Sequence, residues 1–306
     1  MTASGLILLR PRGFGFDAQA ARTNCFQIKV AERAATELRA AATREFDGFV
    51  QVLRAAGVAL EVLEEPADSE AVDAVFLNNW FSTHACGTLV LYPMSSPVRR
   101  QERRPELVEQ IAERVGAREV WDLTHHEQQG RFLEGTGSLV FDRSAKVAFA
   151  GRSERTDEGL VRAVCERLGY EPVVFDTEFR GAPVYHTNVL LSVADAGGPG
   201  ASAVWCPSAV VASDRERVAR ALGEGGREVC ELDRAQLAEF CGNVLRVASA
   251  DGPAWVMSAR ARAALGRGQL EALGRILSAD LAAIETTGGG SARCMVAEAR
   301  SSNGEW

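Results

Sequence analysis

Gly288-Gly289-Gly290-Ser291-Ala292-Arg293-Cys294-Met295 places a cysteine directly after a glycine-rich loop and before the strand-like run 295–297. Glycine lacks a Cβ, so this loop can adopt positive φ angles and approach a ligand closely. A thiol between such a loop and a strand is open to a substrate and yet held by a rigid element. The stretch also fits a cysteine packed in the core after an ordinary turn, because free cysteines are among the most buried residues. The rest of the chain must decide between these two interpretations of Cys294.

The composition is that of a globular protein and argues against several functional classes. The 306 residues are 46% hydrophobic and 25% charged, which is enough material for a large core. The net charge of −7, with Lys and Arg scattered along the chain, argues against a nucleic-acid surface. No signal peptide or membrane-spanning run is recognisable, and the seven cysteines contain no CxxC pair. We therefore expect a soluble, cytoplasmic protein without a disulfide framework or a zinc knuckle.

Strand-like and helix-like segments follow one another in a recurring order. The first unit has a strand at 6–9, an amphipathic helix at 30–56 that Gly57 ends, and a strand at 58–63. Strand–strand–helix–strand groups then recur about five times, at intervals of roughly 50–60 residues, near the range of propeller repeats. Further strand candidates include 73–76, 88–92, 138–141, 184–193, 281–284 and 294–297. No linker divides the chain, so we expect residues 1–306 to form a single domain, a closed ring of α/β units.

The segment 184–191 carries a polar triplet inside an otherwise apolar strand candidate. His186, Thr187 and Asn188 form this triplet. Period-two alternation would place His186 and Asn188 on the same face of the strand. Burying two polar side chains costs free energy unless both find partners, and a substrate cleft is a common reason for such a pair. A hydrogen-bonded core histidine is the alternative interpretation.

Two other segments carry polar residues beside apolar strand candidates. Glu134 lies in 132–138 next to glycines, where a carboxylate could orient an imidazole or simply face water. In the segment 73–80, Asn78 and Asn79 follow an apolar run, and asparagines are common in turns. Both segments are candidates for the site, and neither is decisive alone.

The remaining histidines and one charged run are expected to have no functional role. His84 lies in the polar segment 78–87, and His125 and His126 are adjacent, so that their side chains diverge. The run 99–104 mixes positive and negative charges at a helix entrance. We expect loop positions for the histidines and a solvated face for the charged run.

Five segments taken together resemble a known superfamily. They are 73–80, Leu133-Glu134-Gly135-Thr136-Gly137, Ser153-Glu154-Arg155-Thr156, Tyr185-His186-Thr187-Asn188 and 288–294. This set resembles the guanidino-group-modifying, or pentein, superfamily, and especially its arginine-deiminase-related branch of citrulline utilization hydrolases. The resemblance spans nearly the whole chain with the motifs in the same order. It implies a five-bladed α/β propeller of ββαβ units, in agreement with the repeat number above.

The resemblance also implies roles for individual residues in a cysteine-dependent hydrolase of carbon–nitrogen bonds other than peptide bonds. Cys294 corresponds to the nucleophile, His186 to the acid/base and Glu134 to the carboxylate that orients His186. Arg155 resembles the arginine that clamps a substrate carboxylate, with a surface ion pair as the alternative. Asp73 matches an acid shared by the subfamilies and is expected to anchor a substrate nitrogen.

Three asparagines depart from the related subfamilies. Asn78 and Asn79 stand where dimethylarginine hydrolases have two acids, and Asn188 stands where arginine deiminases have an aspartate. Paired carboxylates suit a cationic guanidinium, whereas an amide offers the donor and the acceptor that a ureido group needs. We therefore expect these three residues to bind a small ureido or guanidino amino acid, with citrulline ranked before arginine.

Two other functions remain open from the sequence. An amidinotransferase, or a hydrolase of a modified arginine, would use the same three catalytic residues. A non-catalytic binding protein of the same fold would lack them, and their joint presence argues against that class. No metal or other cofactor, no nucleic acid and no membrane is expected as a partner. The sequence leaves open whether the chain forms a homo-oligomer.

Overall fold

The computed structural model describes residues 5–29, 35–69, 71–194, 200, 202–224 and 226–300. The strands of these residues form five three-stranded sheets. They are β1 (Gly5–Arg10), β2 (Leu60–Glu64), β3 (Phe81–Thr83), β4 (Thr88–Leu91), β5 (Glu119–Asp122), β6 (Val140–Asp142), β7 (Val147–Gly151), β8 (Glu171–Phe175), β9 (Leu191–Val193), β10 (Ala203–Trp205), β11 (Val229–Glu231), β12 (Leu245–Val247), β13 (Ala254–Ser258), β14 (Ile276–Ala279) and β15 (Ala297–Ala299).

Each sheet has an inner, a middle and an outer strand. The five sheets, which we number as blades one to five, have the orders β15-β1-β2, β3-β4-β5, β6-β7-β8, β9-β10-β11 and β12-β13-β14. In every blade the inner strand pairs antiparallel with the middle strand, and the middle strand pairs parallel with the outer one. Inner strands of different blades pack together, β15 beside β3 and β9 beside both β6 and β12. The inner strands therefore surround the centre of a ring.

Helices make the crossovers that parallel pairing requires. The α-helices are α1 (Ala35–Ala55), α2 (Pro105–Val115), α3 (Gly135–Ser138), α4 (Glu158–Leu168), α5 (Thr187–Leu190), α6 (Ala212–Gly223), α7 (Arg234–Ala238), α8 (Ala259–Ala264), α9 (Arg267–Leu273) and α10 (Ala282–Gly288). Short 3-10 helices lie at Ala20–Arg22, Leu77–Asn79, Arg99–Glu102, Thr124–Gln129 and Pro207–Ala209. Helices α1, α2, α4 and α6, and α8 with α9, join middle to outer strands. The architecture is the five-bladed α/β propeller of ββαβ units that the sequence predicts.

Helix α1 shows how the apolar pattern builds the first blade. Its buried stripe includes Phe46, Phe49 and Leu53, which belong to the same apolar core as Leu6 and Leu8 of β1. The predicted helix began at residue 30, and residues 30–34 lie outside the described residues. The helix ends at Ala55, two residues before Gly57, whose φ of 70° lets the chain reverse toward β2.

Several local predictions near the inner strands are wrong. The run 73–76 is a bend that leads into the 3-10 helix Leu77–Asn79, and β3 begins only at Phe81. In the runs 138–141 and 184–193, helical turns (α3 and α5) come first and a short strand follows. The alternation argument for His186 and Asn188 therefore does not apply. Residues 281–284 lie at the start of α10, while Ile276–Ala279 forms β14. A short apolar run does not distinguish a buried strand from a buried helical turn.

Candidate active site

Each inner strand is preceded by a turn that carries a buried polar side chain. This arrangement repeats in all five blades and brings residues that are far apart in sequence to the same end of the ring. The residues are Cys294 before β15, Asn78 and Asn79 before β3, Glu134 before β6, His186 and Asn188 before β9, and Asn243 before β12. The helical turns that the sequence did not predict are thus the elements that position the candidate site.

A narrow cleft lies among these turns. Cys294 and His186 line this cleft together with Asp73, Arg99 and Arg155. The structure therefore brings a thiol, an imidazole and charged groups of both signs into one small space. Such a combination is typical of a site that binds and transforms a small polar molecule.

His186 and Glu134 form a buried hydrogen-bonded pair. His186 Nε2 lies 2.8 Å from Glu134 Oε2, while Glu134 Oε1 accepts a hydrogen bond of 2.9 Å from the backbone N–H of Ser95. Burial alone would raise the pKa of Glu134, but Arg155 and His186 together hold this pKa well below its usual range. An ionised carboxylate can only accept, so Nε2 must carry the proton of the neutral ring. The other ring nitrogen, Nδ1, has no hydrogen-bond partner among the described residues and can accept or release a proton.

Burial also keeps the imidazole neutral at rest. It lowers the pKa of His186 to about 4, although Glu134 acts in the opposite direction.

Gly137, in the turn before β6, lies against the His186 ring and has no side chain that would collide with it. A Cβ on Gly137 would lie 2.6 Å from both His186 Nδ1 and Asn79 Nδ2, closer than van der Waals contact allows. The histidine is therefore held in one place with a free ring nitrogen.

Cys294 is almost fully buried and lies between two asparagine side chains. Asn243 Nδ2 donates to Sγ at 3.2 Å, and Asn188 Nδ2 lies 3.6 Å from the same sulfur. The Cys294 N–H donates to the Ser291 carbonyl at 2.9 Å, which tightens the turn before β15. Burial raises the pKa of the thiol, and the hydrogen bond from Asn243 opposes this effect.

The glycines of 288–290 make room for a phenylalanine ring. A Cβ on Gly288 would lie 2.6 Å from two ring carbons of Phe76, and a Cβ on Gly290 would lie 2.8 Å from a third. Gly289 has a φ of 65°, and its carbonyl accepts hydrogen bonds from Tyr185 Oη (2.6 Å) and Asn24 Nδ2 (3.1 Å). The loop therefore packs closely against three other segments.

Asp73 is the acidic group of the cleft and is buried. Its Oδ1 has no hydrogen-bond partner among the described residues. Burial raises the pKa of Asp73 to about 8, although Arg99 acts in the opposite direction. An unpaired carboxyl oxygen in such a cleft is suited to a substrate N–H or to a cation.

Asn78 and Asn79 belong to one hydrogen-bonded chain. Asn78 Nδ2 donates to Thr136 Oγ1 at 3.1 Å, and Asn79 Nδ2 donates to Asn78 Oδ1 at 3.0 Å. Arg99 Nη1 donates to Asn79 Oδ1 at 2.8 Å. Of the two asparagines, Asn79 lines the cleft.

Arg155 lines the cleft, but its guanidinium also binds other parts of the protein. Nη2 donates to the Ala20 carbonyl at 2.7 Å, and Nε donates to Thr23 Oγ1 at 2.9 Å. Nη1 lies 3.4 Å from Glu134 Oε2, and the group stacks 4.9 Å from the ring centroid of Tyr185. Arg155 thus links the segment around Ala20–Arg22 to the Glu134–His186 pair.

The prediction that the run 99–104 is a solvated face is wrong at two positions. Arg99 and Glu102 are buried and form an ion pair, with Arg99 Nε 2.7 Å from Glu102 Oε1. Mixed charges looked like a solvated face because the sequence does not show that this 3-10 helix packs beneath the cleft.

The sequence analysis did not identify Asn243. This polar residue stands just before an apolar strand, which is the same signal that drew attention to Asn78. His84 lies in the loop after β3, and a loop position was expected for it. Its ring is nevertheless buried, with Nε2 2.8 Å from Ser82 Oγ.

Neither a metal cluster nor a membrane helix is found in the part of the chain that the structure describes. No three His, Cys, Asp or Glu side chains there converge closely enough to hold a metal ion. Likewise, none of the helices there is both long enough and apolar enough to span a bilayer.

Comparisons with solved structures agree with this fold. The apo structure of ArgZ, an arginine dihydrolase from the ornithine–ammonia cycle in cyanobacteria, matches 97% of this chain with a TM-score of 0.75 and 17% identity. The chain spans 40% of the length of that protein, whereas it covers 98% of the ArgZ N-terminal domain bound to its substrate (TM-score 0.74, 17% identity). An adduct of dimethylarginine dimethylaminohydrolase with S-methyl-L-thiocitrulline matches 97% of this chain and 99% of that one, with a TM-score of 0.65 and 15% identity.

The sequence comparison identifies the family. No curated protein matches the chain. The family model for eukaryotic N,N-dimethylarginine dimethylhydrolases, however, matches residues 10–301, which is nearly the whole chain. Together with the propeller fold, this match shows that the chain belongs to the dimethylarginine dimethylhydrolase family, a family of carbon–nitrogen hydrolases in the guanidino-group-modifying, or pentein, superfamily.

Proposed function

We propose that this protein hydrolyses a carbon–nitrogen bond of a guanidino amino acid through a covalent intermediate on Cys294. The observation that carries the proposal is the joint placement of Cys294, of the Glu134-bound His186 and of the unpaired Asp73 carboxyl at one cleft. A nucleophile, a proton carrier and an anchor for nitrogen are the parts that this reaction requires. Residues 1–306 would act as a single catalytic domain.

The first half of the proposed reaction forms a carbon–sulfur bond. His186 Nδ1 accepts the proton of Cys294, and Sγ attacks the central guanidino carbon to give a tetrahedral adduct. The imidazolium then gives this proton to the departing nitrogen, so that the carbon–nitrogen bond breaks and an amine or ammonia leaves. Glu134 stabilises the transient imidazolium, because its ionised carboxylate accepts a hydrogen bond from the Nε2–H group throughout.

The second half releases the product and restores the thiol. His186 Nδ1 takes a proton from water, and the resulting hydroxide attacks the carbon bound to Sγ. The carbon–sulfur bond breaks, the proton on the imidazolium returns to the sulfur, and the hydroxyl proton of the adduct passes to solvent, where the released amine or ammonia takes it up. The oxygen of water remains on the carbon, so a guanidino group leaves the site as a ureido group.

The carboxyl group of Asp73 favours a guanidinium as the group that enters first. Asp73 is largely protonated in the empty cleft, and a bound cation would favour its ionised form. Asn79 supplies an amide next to this carboxyl, held by Arg99. Arginine and its N-methylated derivatives share the required guanidinium. A substrate carboxylate would reach Arg155 by replacing its contacts with Ala20 and Thr23.

A ureido substrate such as citrulline is the second candidate, and the amides favour it. Asn79 lines the cleft and Asn188 lies beside Cys294 Sγ, and both side chains are neutral amides. An amide can donate to a ureido oxygen and accept from its N–H groups. Arginine could then be processed twice at the same site, first to citrulline and then to ornithine, ammonia and carbon dioxide.

The test is a product assay on the purified protein. Arginine, methylated arginines and citrulline are incubated separately, each with and without glycine as an amidino acceptor, and ammonia, methylamines, citrulline and ornithine are measured. We expect release of ammonia or a methylamine from at least one guanidino substrate, and none with Cys294→Ala. Turnover that requires glycine would indicate an amidinotransferase. No turnover of any of them, or full activity of Cys294→Ala, would contradict the proposal.

A further inference from the structure

Four of the five blades contribute residues with proposed roles, and Asn243 is the contribution of the fifth blade. It stands at the entrance to β12, as Asn79 does for β3 and Cys294 does for β15. Its side chain is fully buried and does not line the cleft. A role for Asn243 must therefore come from its contacts with other residues and not from direct contact with a substrate.

Asn243 holds Cys294 at two points. Its Nδ2 donates to Sγ at 3.2 Å, and its Oδ1 accepts from the Cys294 backbone N–H at 3.4 Å. Nδ2 also donates to the Asn188 carbonyl at 3.0 Å, which fixes the orientation of the amide. One planar group thus connects the nucleophile of blade one to the turn of blade four that begins at His186.

We propose that Asn243 is a positioning residue that orients Cys294 Sγ for attack and stabilises its thiolate. This inference rests on the proposed function, because it assigns Cys294 as the nucleophile. The amide N–H strengthens its bond to sulfur when the thiol loses its proton, since hydrogen bonds to charged acceptors are about twice as strong as neutral ones. Asn243 does not line the cleft, so it should affect the reactivity of the sulfur more than the binding of a substrate.

Other charged or titratable groups near the sulfur stay unchanged in the test variants. They are Arg293 in the same loop, Tyr185 and His186 from the fourth blade, and Asp73, Arg99 and Arg155 around the cleft. A change in the reactivity of Cys294 upon substitution of Asn243 alone can therefore be attributed to the amide.

The experiment measures alkylation of Cys294 by iodoacetamide as a function of pH. Peptide-resolved mass spectrometry separates Cys294 from the six other cysteines. The variants are Asn243→Ala and, because the smaller residue leaves a cavity, Asn243→Leu, which fills the space without hydrogen bonds. The matched control is Ser192→Ala, which removes a 2.9 Å bond to the neighbouring Gly242 carbonyl and has no bond to Cys294. Melting temperatures report whether each variant folds.

We expect the midpoint of alkylation to move to higher pH in both Asn243 variants and to stay in place in Ser192→Ala. Alkylation at pH 7 should slow by about tenfold, the loss expected when one hydrogen bond to a charged group is removed. With the active substrate, kcat should fall while KM changes little. An unchanged midpoint in a folded Asn243 variant, or an equal shift in Ser192→Ala, would overturn the inference. Alkylation needs no substrate, so failure of the proposed function would show separately, as absence of turnover by the wild-type protein.

Discussion

At the scale of single residues, the surroundings of Glu134 and Asp73 give these two carboxyl groups different pKa values. Glu134 is ionised because cationic and donor groups surround it, whereas Asp73, buried without a hydrogen bond to Oδ1, has a pKa of about 8. Asp73 in the cleft and Glu134 beside His186 therefore have different protonation states at neutral pH. Environments that separate pKa values in this way are characteristic of sites that divide binding and proton transfer between groups.

Glu134→Gln tests the role of the buried carboxylate. Glutamine keeps nearly the same shape and an acceptor for His186 Nε2–H, but it removes the charge that stabilises the imidazolium. We expect kcat to fall by about 10²- to 10⁴-fold, the range that general acid–base catalysis contributes, with a small change in KM. Glu158→Gln, at a surface carboxylate that pairs with Arg152 and Arg162, is the control and should keep full activity. Equal kcat in Glu134→Gln and wild type would remove Glu134 from the mechanism.

Asp73→Asn tests the raised pKa without any substrate. An unfolded aspartate titrates near pH ~3.9, whereas folded Asp73 titrates at about 8. Between these values the folded state holds a proton that the unfolded state has lost, so this group makes the wild type less stable as pH rises. Asparagine does not titrate. The melting temperature of Asp73→Asn minus that of wild type should therefore increase from pH 4 to 8, and a constant difference would contradict the assignment.

At the scale of elements, turns rather than strands create the site. The bend at Asp73, the 3-10 helix Leu77–Asn79, helices α3 and α5 and the loop after α10 each precede an inner strand. These turns interlock by close backbone packing, because glycines occupy the points of contact. A Cβ on Gly135 would lie 2.4 Å from the Asn78 carbonyl oxygen, which is shorter than any normal contact.

Gly290→Ala tests this interlocking at the loop beside Cys294. The new methyl group would meet Phe76 at 2.8 Å, and overpacking of this kind costs about 1–3 kcal/mol. We expect a lower free energy of unfolding in urea and lower activity, with partial recovery of both in Gly290→Ala/Phe76→Leu. Gly268→Ala in α9 is the control, because nothing lies within 4 Å of its Cβ and alanine favours a helix. Equal losses in Gly290→Ala and Gly268→Ala would show that the Phe76 contact is unimportant.

At the scale of the whole molecule, pairing between the ends of the described chain closes the ring. Gly5 of β1 is the register partner of Ala299 of β15, so blade one contains strands from both ends of the sequence. Cys294 lies just before β15, and its position relative to His186 therefore depends on this closure. The thiol of blade one and the imidazole of blade four line the same cleft in this closed ring.

A circular permutant tests whether the ring, rather than the chain order, defines the structure. Residues 301–306 and 1–4 become the linker, and the chain is reopened between Asp251 and Gly252, both outside the strands β12 and β13. We expect native circular dichroism, one cooperative unfolding transition and retained activity, because exposed turns tolerate new termini. The control is reopened between Thr187 and Asn188 in α5, inside the candidate site, and should lose activity. Loss of the fold in the Asp251 permutant would contradict this view.

Some features of this protein follow from the sequence alone. Apolar periodicity predicts the amphipathic helix of the first unit, and the order of strand-like and helix-like segments predicts the five repeats, because both are local properties of consecutive residues. The motifs around Glu134, His186 and Cys294 predict the superfamily. These signals are local, so they can be recognised without knowledge of the packing.

Other features depend on contacts between distant segments, and only the tertiary structure decided them. The sequence did not predict that Arg99 is buried, that Arg155 binds Ala20, or that Asn243 contacts Cys294. It also assigned strands where helical turns bring His186 and Asn188 to the site. Each of these outcomes arises from blades packing around a ring, where partners are tens to hundreds of residues apart and periodicity along the chain carries no information about them. The loop 288–294 indicates Cys294 as the candidate nucleophile, whereas ring closure determines what surrounds it.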